Sequence, residues 1–292
     1  MTSIPDGVAS YISLGVDLTK DHSNWTGECP LCGDGKLSVD EQTSKFKCWV
    51  CKEKGNTTTF VEKLWAVLDG GTKSYEWIAS ERSVDPETVM AWGFCWNPMN
   101  SCWYCPGFNE SGIVRNMYRY ARLSSSGKMG LMGTTGMGQQ MYGVNLYDAR
   151  KPHLILTEGV WDAMALWEVF RQCRWNDENG LVHTASNKQN LLATANIVGL
   201  PGCTTFLPKW GKLLAGKIVT FMFDNDLDRK HKETGKDLKS EALAGIRRVL
   251  DIVGGTNSQP KEVHYLKWGD ERDYFSNDLP HGFDVRDSIQ SW

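Results

Sequence analysis

Four cysteines near the N-terminus constrain the fold of this chain more than any other feature of its sequence. They form two Cys-x2-Cys pairs, Cys29 with Cys32 and Cys48 with Cys51, separated by 15 residues. This spacing is typical of structural zinc sites, in which each pair forms a tight turn that presents two thiolates. Zinc binding contributes about 10–16 kcal/mol in zinc-finger peptides, enough to stabilise a segment too small to fold on its own core. The sequence therefore predicts a structural Zn²⁺ site in an N-terminal β-rich ribbon.

The remaining cysteines and the absence of export signals indicate a reduced compartment. The N-terminus has no basic region ahead of an apolar block, and no apolar run approaches the roughly 20 residues of a membrane span. We therefore expect a soluble cytoplasmic protein without a membrane partner, in which thiols stay reduced. A third Cys-x2-Cys lies in "CWYCPGF", but no later pair complements it, so packing is the expected role of the other five cysteines. These are Cys95, Cys102, Cys105, Cys173 and Cys203.

Charge is distributed unevenly along the chain. The net charge of −3 over 292 residues argues at first against a polyanionic partner, but it averages over regions of opposite sign. Between Glu110 and Asp148 there is no acidic residue, whereas the acids collect in the C-terminal half. The sequence thus predicts a basic region followed by an acidic one. The cations between these two acids are Arg115, Arg119, Arg122 and Lys128.

Hydrophobic periodicity predicts an α/β protein with three domains. The stretch 57–68 has helical spacing, and "DGGTKS" then ends a zinc-ribbon domain at residues 1–70. Residues 76–150 form a mixed, basic subdomain with strand candidates "CWYCPGF", "GIVRNMYRYARL" and "MYGVNLY". Residues 151–292 alternate strand and helix, which predicts a parallel sheet flanked by helices.

Cations occur in two patterns that suit nucleic acid. Around the zinc pairs they alternate with aromatic residues, which is typical of single-strand binding, although either Phe46 or Trp49 is also needed for the core of the ribbon. Arg115 and Arg119 share one side of a predicted strand, and the glycine-rich segment after it supplies Lys128. These three can bind the phosphates of a nucleotide or template, or form a solvated face. The residues around the zinc pairs are Lys45, Phe46, Lys47, Trp49, Lys52 and Lys54.

Carboxylates follow the predicted strands of the C-terminal region. Glu158 ends the first strand, and Asp162 follows one helical turn later. Asp224 and Asp226 end a later strand on one face, which Asp228 would share only if the strand continued. Ligands bind at the carboxyl edge of such sheets, and oxygen-only ligation selects Mg²⁺ or Mn²⁺. The sequence predicts a divalent metal site there.

These motifs together resemble a known family. "LILTEGVWDAMAL" followed by "IVTFMFDNDLD" is similar to a Toprim domain, which is marked by Glu-Gly after one strand and Asp-x-Asp after another. A zinc ribbon, a basic region and a Toprim domain in this order resemble bacterial DNA primases. The all-cysteine zinc set resembles the primase half of bacteriophage helicase-primases. The likeness covers nearly the whole chain.

The resemblance implies a primase that makes short RNA primers on single-stranded DNA from ribonucleoside triphosphates by two-metal nucleotidyl transfer. It also implies action in the cytoplasm of a bacterial cell, with the protein encoded by the bacterium or by a phage. It implies catalytic roles for Glu158, Asp162, Asp224 and Asp226, and nucleotide or template binding by Arg115, Arg119 and Lys128. Asp270 and Asp273, in "WGDERDYF", match a late acidic element and join Asp228 as further candidate metal ligands. No G-x-x-x-x-G-K-[ST] motif occurs, so we expect a separate replicative helicase as partner.

Two other functions stay open from sequence. A Toprim nuclease or a topoisomerase-like enzyme would use the same acids, although a topoisomerase needs a nucleophilic tyrosine in a further domain. A non-catalytic zinc-ribbon DNA-binding replication protein would retain a decayed Toprim domain. Plasmid nicking in Mg²⁺ identifies the nuclease, and DNA binding without turnover identifies the non-catalytic protein.

Overall fold

The computed structural model describes residues 4–68, 74–122, 127–172, 174–176, 182–184, 191–226, 229–230, 237–238, 240–268 and 284–290. The chain divides into two compact units. One comprises Met1–Tyr75, Val89–Asn109 and Ile113–Gln140, and the other comprises Glu76–Thr88, Glu110–Gly112 and Met141–Trp292. The mixed α/β class predicted from the sequence is confirmed.

The N-terminal part of the first unit is an antiparallel sheet of five short strands with two helices. The strands follow the chain in order, β1-β2-β3-β4-β5. The predicted helix at 57–68 is confirmed, and its Phe60 packs edge-on against Phe46 of β4 and Tyr11 of α1. The elements are α1 (Asp6–Ser13), β1 (Thr19–Asp21), β2 (Asn24–Glu28), β3 (Lys36–Asp40), β4 (Phe46–Cys48), β5 (Lys54–Gly55) and α2 (Thr57–Leu68).

A second antiparallel sheet, in the order β6-β7-β8-β9, follows in the chain. Two of its strands are those predicted from "CWYCPGF" and "GIVRNMYRYARL". The predicted strand "MYGVNLY" is wrong: Met141 and Tyr142 form only isolated bridges, that of Tyr142 with Gly199, because Gly143 turns at φ +76° into a 3₁₀ helix over Val144–Leu146. The elements are α3 (Glu76–Arg82), α4 (Pro86–Ala91), β6 (Cys95–Asn97), β7 (Cys102–Phe108), β8 (Val114–Arg122) and β9 (Met129–Met132).

The second unit is built on a parallel sheet in the order β13-β10-β14-β17. Two short antiparallel pairs, β11 with β12 and β15 with β16, lie outside that sheet. The elements are β10 (His153–Glu158), α5 (Val160–Gln172), β11 (Arg174–Asn176), β12 (Val182–Thr184), β13 (Ala195–Leu200), β14 (Ile218–Met222), β15 (Arg229–Lys230), β16 (Asp237–Leu238), α6 (Glu241–Val253), β17 (Glu262–Tyr265) and α7 (Val285–Gln290).

The central strands of this sheet determine where the acids meet. β10 lies between β13 and β14, and α5 packs against β10 and β13. Strands β10 and β13 are apolar and almost wholly buried, as strands covered by helices require. Because all four strands are parallel, their carboxyl ends lie at one edge. Among the described residues, no helix is long and apolar enough to cross a bilayer.

Candidate active site and zinc centre

The four predicted cysteines form a compact zinc-binding site. All four Sγ atoms lie within 4.8 Å of one another, and those of Cys32 and Cys48 are 3.8 Å apart. Zinc–sulfur bonds of about 2.3 Å in a tetrahedron place the sulfurs about 3.8 Å apart, so the set fits Zn²⁺. The predicted four-cysteine zinc-binding site is confirmed.

Backbone hydrogen bonds form the two turns. The N–H of Gly33 donates to the carbonyl of Cys29 at 2.8 Å, and Gly33 adopts φ +67°, which glycine tolerates. In the other turn the N–H of Cys51 donates to Cys48 Sγ at 3.4 Å. Burial raises the pKa of Cys48, but N–H groups of Cys51 and Val50 outweigh it and bring that pKa to about 7. The second turn thus favours a thiolate, the form that binds zinc.

Strand alternation in β4 determines which aromatic residue the ribbon uses as core. Phe46 and Cys48 point inward, and Lys47 points to solvent. Trp49, one residue after the strand, is 53% exposed, with the Lys47 ammonium 3.7 Å from its ring centroid. Phe46 therefore serves the core, and Trp49 presents an aromatic surface beside a cation.

Glu158 is placed at the sheet edge as predicted. It is the last residue of β10, and Gly159 adopts φ +109° to turn directly into α5. The turn is tight, since a Cβ on Gly199 of β13 would stand 2.4 Å from the carbonyl oxygen of Gly159. Thr157 of β10 pairs with Met222 of β14, so Glu158 and the residues after Met222 share the carboxyl edge.

Asp224 and Asp226 reach this edge from a turn. The prediction that they share one face of a strand is wrong, because β14 ends at Met222 and the N–H of Asp226 donates to the carbonyl of Asp224 at 2.9 Å. Asp226 Oδ2 accepts a hydrogen bond of 2.6 Å from the N–H of Glu241, the first residue of α6. A carboxylate at a helix N-terminus is stabilised by the unsatisfied N–H groups and the helix dipole.

The predicted acids affect one another electrostatically. Burial raises the pKa of Asp224 to about 9, and Glu158, Asp162 and Asp226 add to the rise. Burial also raises the pKa of Glu158, although hydrogen bonding with the thiol and N–H of Cys203 lowers it. Burial is the main cause of the raised pKa of Asp162 as well. Carboxylates that burial and repulsion keep protonated are ready to exchange protons for a cation.

The oxygen donors at this edge fit a hard divalent cation. Asp162 is 6% exposed, and its Oδ1 is buried without a hydrogen-bond partner. An unpartnered buried carboxylate oxygen is costly, and Mg²⁺ or Mn²⁺ would satisfy it. In the described part of the chain, however, only the four cysteines form a group of metal-ligating side chains within 4.8 Å of one another. Side-chain rotations are therefore needed before several of the carboxylates contact one ion.

Two residues at this edge were not predicted from the sequence to belong to the site. Asp284, just before α7, raises the pKa of both Asp162 and Asp224. Cys203, three residues after β13, is buried against Glu158. The position of Cys203 could have been predicted, because a residue soon after a parallel strand lies at the carboxyl edge of the sheet. For Asp284 the sequence carries no motif.

The predicted basic residues lie on the hairpin of β8 and β9. Arg115 pairs with Glu62 of α2 at 2.9 Å, whereas Arg119 Nη2 contacts Met132 Sδ at 3.9 Å. Lys128 immediately precedes β9, near the end of β8 opposite to Arg115. Arg119 and Lys128 therefore belong to the same hairpin but lie at different positions along it. Asp228, Asp270, Asp273 and Cys173 lie outside the described residues.

Residues 4–68 match the family model of the DnaG zinc ribbon, described as a CHC2 zinc finger. No curated protein matches. Among solved structures, the Aquifex aeolicus primase (zinc-binding and RNA polymerase domains) is 14% identical, with a TM-score of 0.44, covering 100% of this chain and 83% of that one.

Two further solved structures are similar. The primase fragment of the bacteriophage T7 primase-helicase protein is 13% identical with a TM-score of 0.43, covering 89% of this chain and 91% of that one. A DnaG primase catalytic domain bound to ssDNA is 15% identical with a TM-score of 0.48, covering 79% of this chain and 73% of that one. The family match covers the zinc-binding region of this chain, residues 4–68, which is similar to the zinc ribbon of DnaG.

Proposed function

We propose that this chain is a DNA primase, an RNA polymerase that synthesises short RNA primers on single-stranded DNA. The observation that carries the proposal is a match to the DnaG zinc ribbon in the same chain as a parallel sheet with partly buried acids at its carboxyl edge. The zinc finger alone fits any DNA-binding protein. The buried acids add a place for the metal ions that nucleotidyl transfer requires.

Glu158, Asp224 and Asp226 are the residues we propose as holders of Mg²⁺ or Mn²⁺. When bound, two such ions activate a nucleotide 3′-hydroxyl and neutralise the triphosphate and the leaving pyrophosphate. Glu158 is fixed by its position at the end of β10 and by Cys203, and Asp226 by the N-terminus of α6. Asp162 supplies a further carboxylate from the first turn of α5. The strand end and the helix N-termini set where these residues stand, and side-chain rotations would then bring their carboxylates to the ions.

The basic hairpin is the proposed contact with substrate phosphates. Arg119 and Lys128 bind the triphosphate or the template backbone, because a guanidinium and an ammonium on a strand and its adjoining turn suit phosphate oxygens. Arg115 contributes after it exchanges its pairing with Glu62 for a phosphate. The proposal keeps the three domains predicted from the sequence: a zinc-ribbon domain at residues 1–70, a basic subdomain at 76–150 and a catalytic subdomain at 151–292.

The zinc finger is the proposed selector of the start site. Trp49 beside Lys47 offers a stacking surface and a cation to an unstacked base and its phosphate. A separate replicative helicase is the proposed partner that delivers single-stranded template. Such an enzyme acts in the cytoplasm, where replication takes place in bacteria.

The test is RNA synthesis by the full-length, zinc-loaded protein. We expect single-stranded DNA, ribonucleotides and Mg²⁺ or Mn²⁺ to yield short labelled oligoribonucleotides, and Asp224→Ala to abolish them while preserving the fold. Normal synthesis by folded Asp224→Ala would refute the site assignment. If varied templates give no product, plasmid nicking in Mg²⁺ would identify a nuclease, and DNA binding without turnover would identify a non-catalytic protein.

A further inference from the structure

We propose that Lys52, in the second zinc turn, binds a phosphate of single-stranded DNA beside the exposed side chain of Trp49. Lys52 thereby adds a specific phosphate contact to the proposed start-site role of the zinc finger, on which this inference rests. The same contact accounts for a strained backbone at Lys52 that zinc binding does not require.

The two zinc turns share a backbone conformation but differ in the residue that adopts it. The residue after the second cysteine of each pair is left-handed, with φ +67° at Gly33 and φ +65° at Lys52. Glycine adopts this conformation freely, whereas a residue with a Cβ is strained in it. A Cβ at Gly33 would meet no atom within 4 Å, so the conformation itself is what favours glycine there. The second turn should favour glycine at position 52 for the same reason.

A lysine in this conformation stands apart from the other strained residues of the chain. Among the described residues other than glycine, the remaining ones with a positive φ are three serines and one histidine. Strained backbone of this kind is concentrated at functional sites, where the side chain offsets its cost. Lys52 is exposed, and its Nζ donates a hydrogen bond of 2.6 Å to the carbonyl of Trp49. The strained residue therefore holds its ammonium group beside Trp49.

Two ammonium groups lie next to the exposed side chain of Trp49. Lys47 Nζ is 3.7 Å from the ring centroid and covers part of one face of the indole. Trp49 is nevertheless 53% exposed, and Val50 after it is exposed as well. Lys47 approaches from β4 and Lys52 from the turn that follows it. An exposed aromatic ring between two cations suits an unstacked base together with phosphates of the adjoining backbone.

The charge of the second turn favours a polyanion. In the part of the chain that the structure describes, no carboxylate pairs with Lys47 or Lys52, and the neighbouring Glu53 is paired with Lys63 at 2.7 Å. The first zinc turn is flanked instead by two acids, Glu28 and Asp34. Single-stranded DNA, which has accessible bases and a phosphate backbone, is therefore attracted to the second turn and repelled by the first.

The alternative role of Lys52 is structural, with its Nζ capping the carbonyl of Trp49. Lys52→Gly separates the two roles, because it removes the ammonium group and relieves the backbone strain at the same time. Lys52→Arg keeps a cation at this position. Lys20→Ala is the control for charge, since it removes one exposed lysine from β1, which is three strands away from β4 in the same sheet.

The experiment measures the Kd of the full-length, zinc-loaded protein for a fluorescein-labelled single-stranded oligodeoxynucleotide by anisotropy at several salt concentrations. We expect Lys52→Gly to raise the Kd about threefold to fivefold, as an exposed ion pair contributes. Loss of one phosphate contact on a single strand should also reduce the slope of log Kd against log salt concentration by about 0.7. We expect Lys20→Ala to change the Kd by less than about twofold, because salt screens distant charges.

Zinc retention and stability are measured on the same proteins. Because Lys52→Gly relieves strain, its Tm should be no lower than that of wild type, and its zinc transfer to a chelating dye should be no faster. A gain or no change in stability together with weaker DNA binding is the result that a capping role does not produce. Lys52→Arg should restore both the Kd and the salt slope.

A wild-type Kd and salt slope in Lys52→Gly, or a loss equal to that of Lys20→Ala, would overturn the phosphate contact. Weaker binding accompanied by faster zinc release would overturn it as well, in favour of capping. If wild-type protein does not bind the oligonucleotide, the proposed role of the zinc finger is wrong and the inference falls with it. The expected binding results in a protein that synthesises no RNA would support the Lys52 contact and reject only the proposed enzymatic activity.

Discussion

Gly35 lies directly against the sulfur of Cys48: a Cβ at position 35 would stand 2.8 Å from Cys48 Sγ and 3.0 Å from Cys32 Sγ. Both distances are too short for a carbon beside a zinc-bound thiolate. The Gly35 carbonyl also accepts the hydrogen bond of Cys29 N–H at 2.7 Å, so position 35 belongs to the first zinc turn. The zinc site therefore depends on a glycine as well as on its four ligands.

Gly35→Ala should weaken zinc binding without changing any ligand. We expect zinc transfer to a chelating dye to be at least about tenfold faster than in wild type, within the range for supporting residues of metal sites. Gly138→Ala is the control, because a Cβ there meets no atom within 4 Å. Equal zinc release from Gly35→Ala and wild type would show that the turn relaxes freely.

Asp224 should make the metal-free protein less stable as the pH rises. Its folded pKa is raised to about 9, mainly by burial, from an ordinary 3.8, so between these values the folded state retains a proton that the unfolded state loses. The free energy of unfolding therefore falls with rising pH across this window. In zinc-loaded protein without Mg²⁺, Asp224→Asn should have the higher Tm at pH 8, because asparagine avoids the cost of retaining this proton; the gain is about 2–4 °C per kcal/mol.

The difference in Tm between wild type and Asp224→Asn should shrink as the pH is lowered towards 5. At lower pH a growing share of unfolded wild-type molecules also carries a proton on Asp224, so the folded and unfolded states differ less in protonation. Mg²⁺ should raise the wild-type Tm at pH 8 and leave that of Asp224→Asn nearly unchanged. Parallel Tm–pH curves for the two proteins would contradict the raised pKa.

Cys203 should position Glu158 for metal binding. Its thiol and backbone N–H both interact with the carboxylate by hydrogen bonding. Cys203→Ala removes the thiol donor, and Cys203→Ser restores a donor of similar size. We expect the Mg²⁺ concentration for half-maximal primer synthesis to rise about threefold to tenfold in Cys203→Ala, in keeping with loss of one hydrogen bond to a charged group, and to return towards wild type in Cys203→Ser.

The rate at saturating Mg²⁺ separates positioning from general damage. A positioning role leaves that rate close to wild type in Cys203→Ala. A lower rate at every Mg²⁺ concentration, with no rescue by serine, would indicate a packing role for Cys203 instead.

Trp49 should contribute to single-strand binding by stacking. Its ring is exposed beside Lys47. Stacking of one base contributes about 1–3 kcal/mol, so we expect Trp49→Ala to lose affinity for single-stranded DNA by about fivefold or more. Trp77→Ala is the matched control, since Trp77 is exposed to a similar extent on α3. Fluorescence anisotropy of a labelled oligodeoxynucleotide measures both. Equal losses in the two variants, or none in Trp49→Ala, would argue against stacking at Trp49.

Features encoded by local spacing could be predicted from the sequence. The zinc ligands follow from two Cys-x2-Cys turns, and helix Thr57–Leu68 follows from the apolar period that includes Phe60 and Leu64. The parallel sheet follows from alternation of apolar strands and amphipathic helices, because such units have few ways to bury their apolar faces. The position of Glu158 at the sheet edge follows from the glycine after it.

Features set by tertiary contacts could not be predicted. Strand β14 ends two residues before Asp224, and the turn that follows is fixed by the capping of α6 by Asp226, a residue pair distant in sequence. Helix α7, which follows Asp284, packs against α5, which carries Asp162, and no local pattern encodes that packing. The sequence does not decide whether Phe46 or Trp49 packs in the core of the ribbon, because that depends on the register of β4.

Formation of the first phosphodiester bond tests the central claim most directly. Full-length, zinc-loaded protein is incubated with single-stranded DNA, a pair of ribonucleoside triphosphates with one labelled, and Mg²⁺, and dinucleotide products are resolved beside those of Glu158→Gln. The account predicts an alkali-labile dinucleotide that requires the template and disappears in Glu158→Gln. A dinucleotide that forms equally well in folded Glu158→Gln, or without a template, would contradict it.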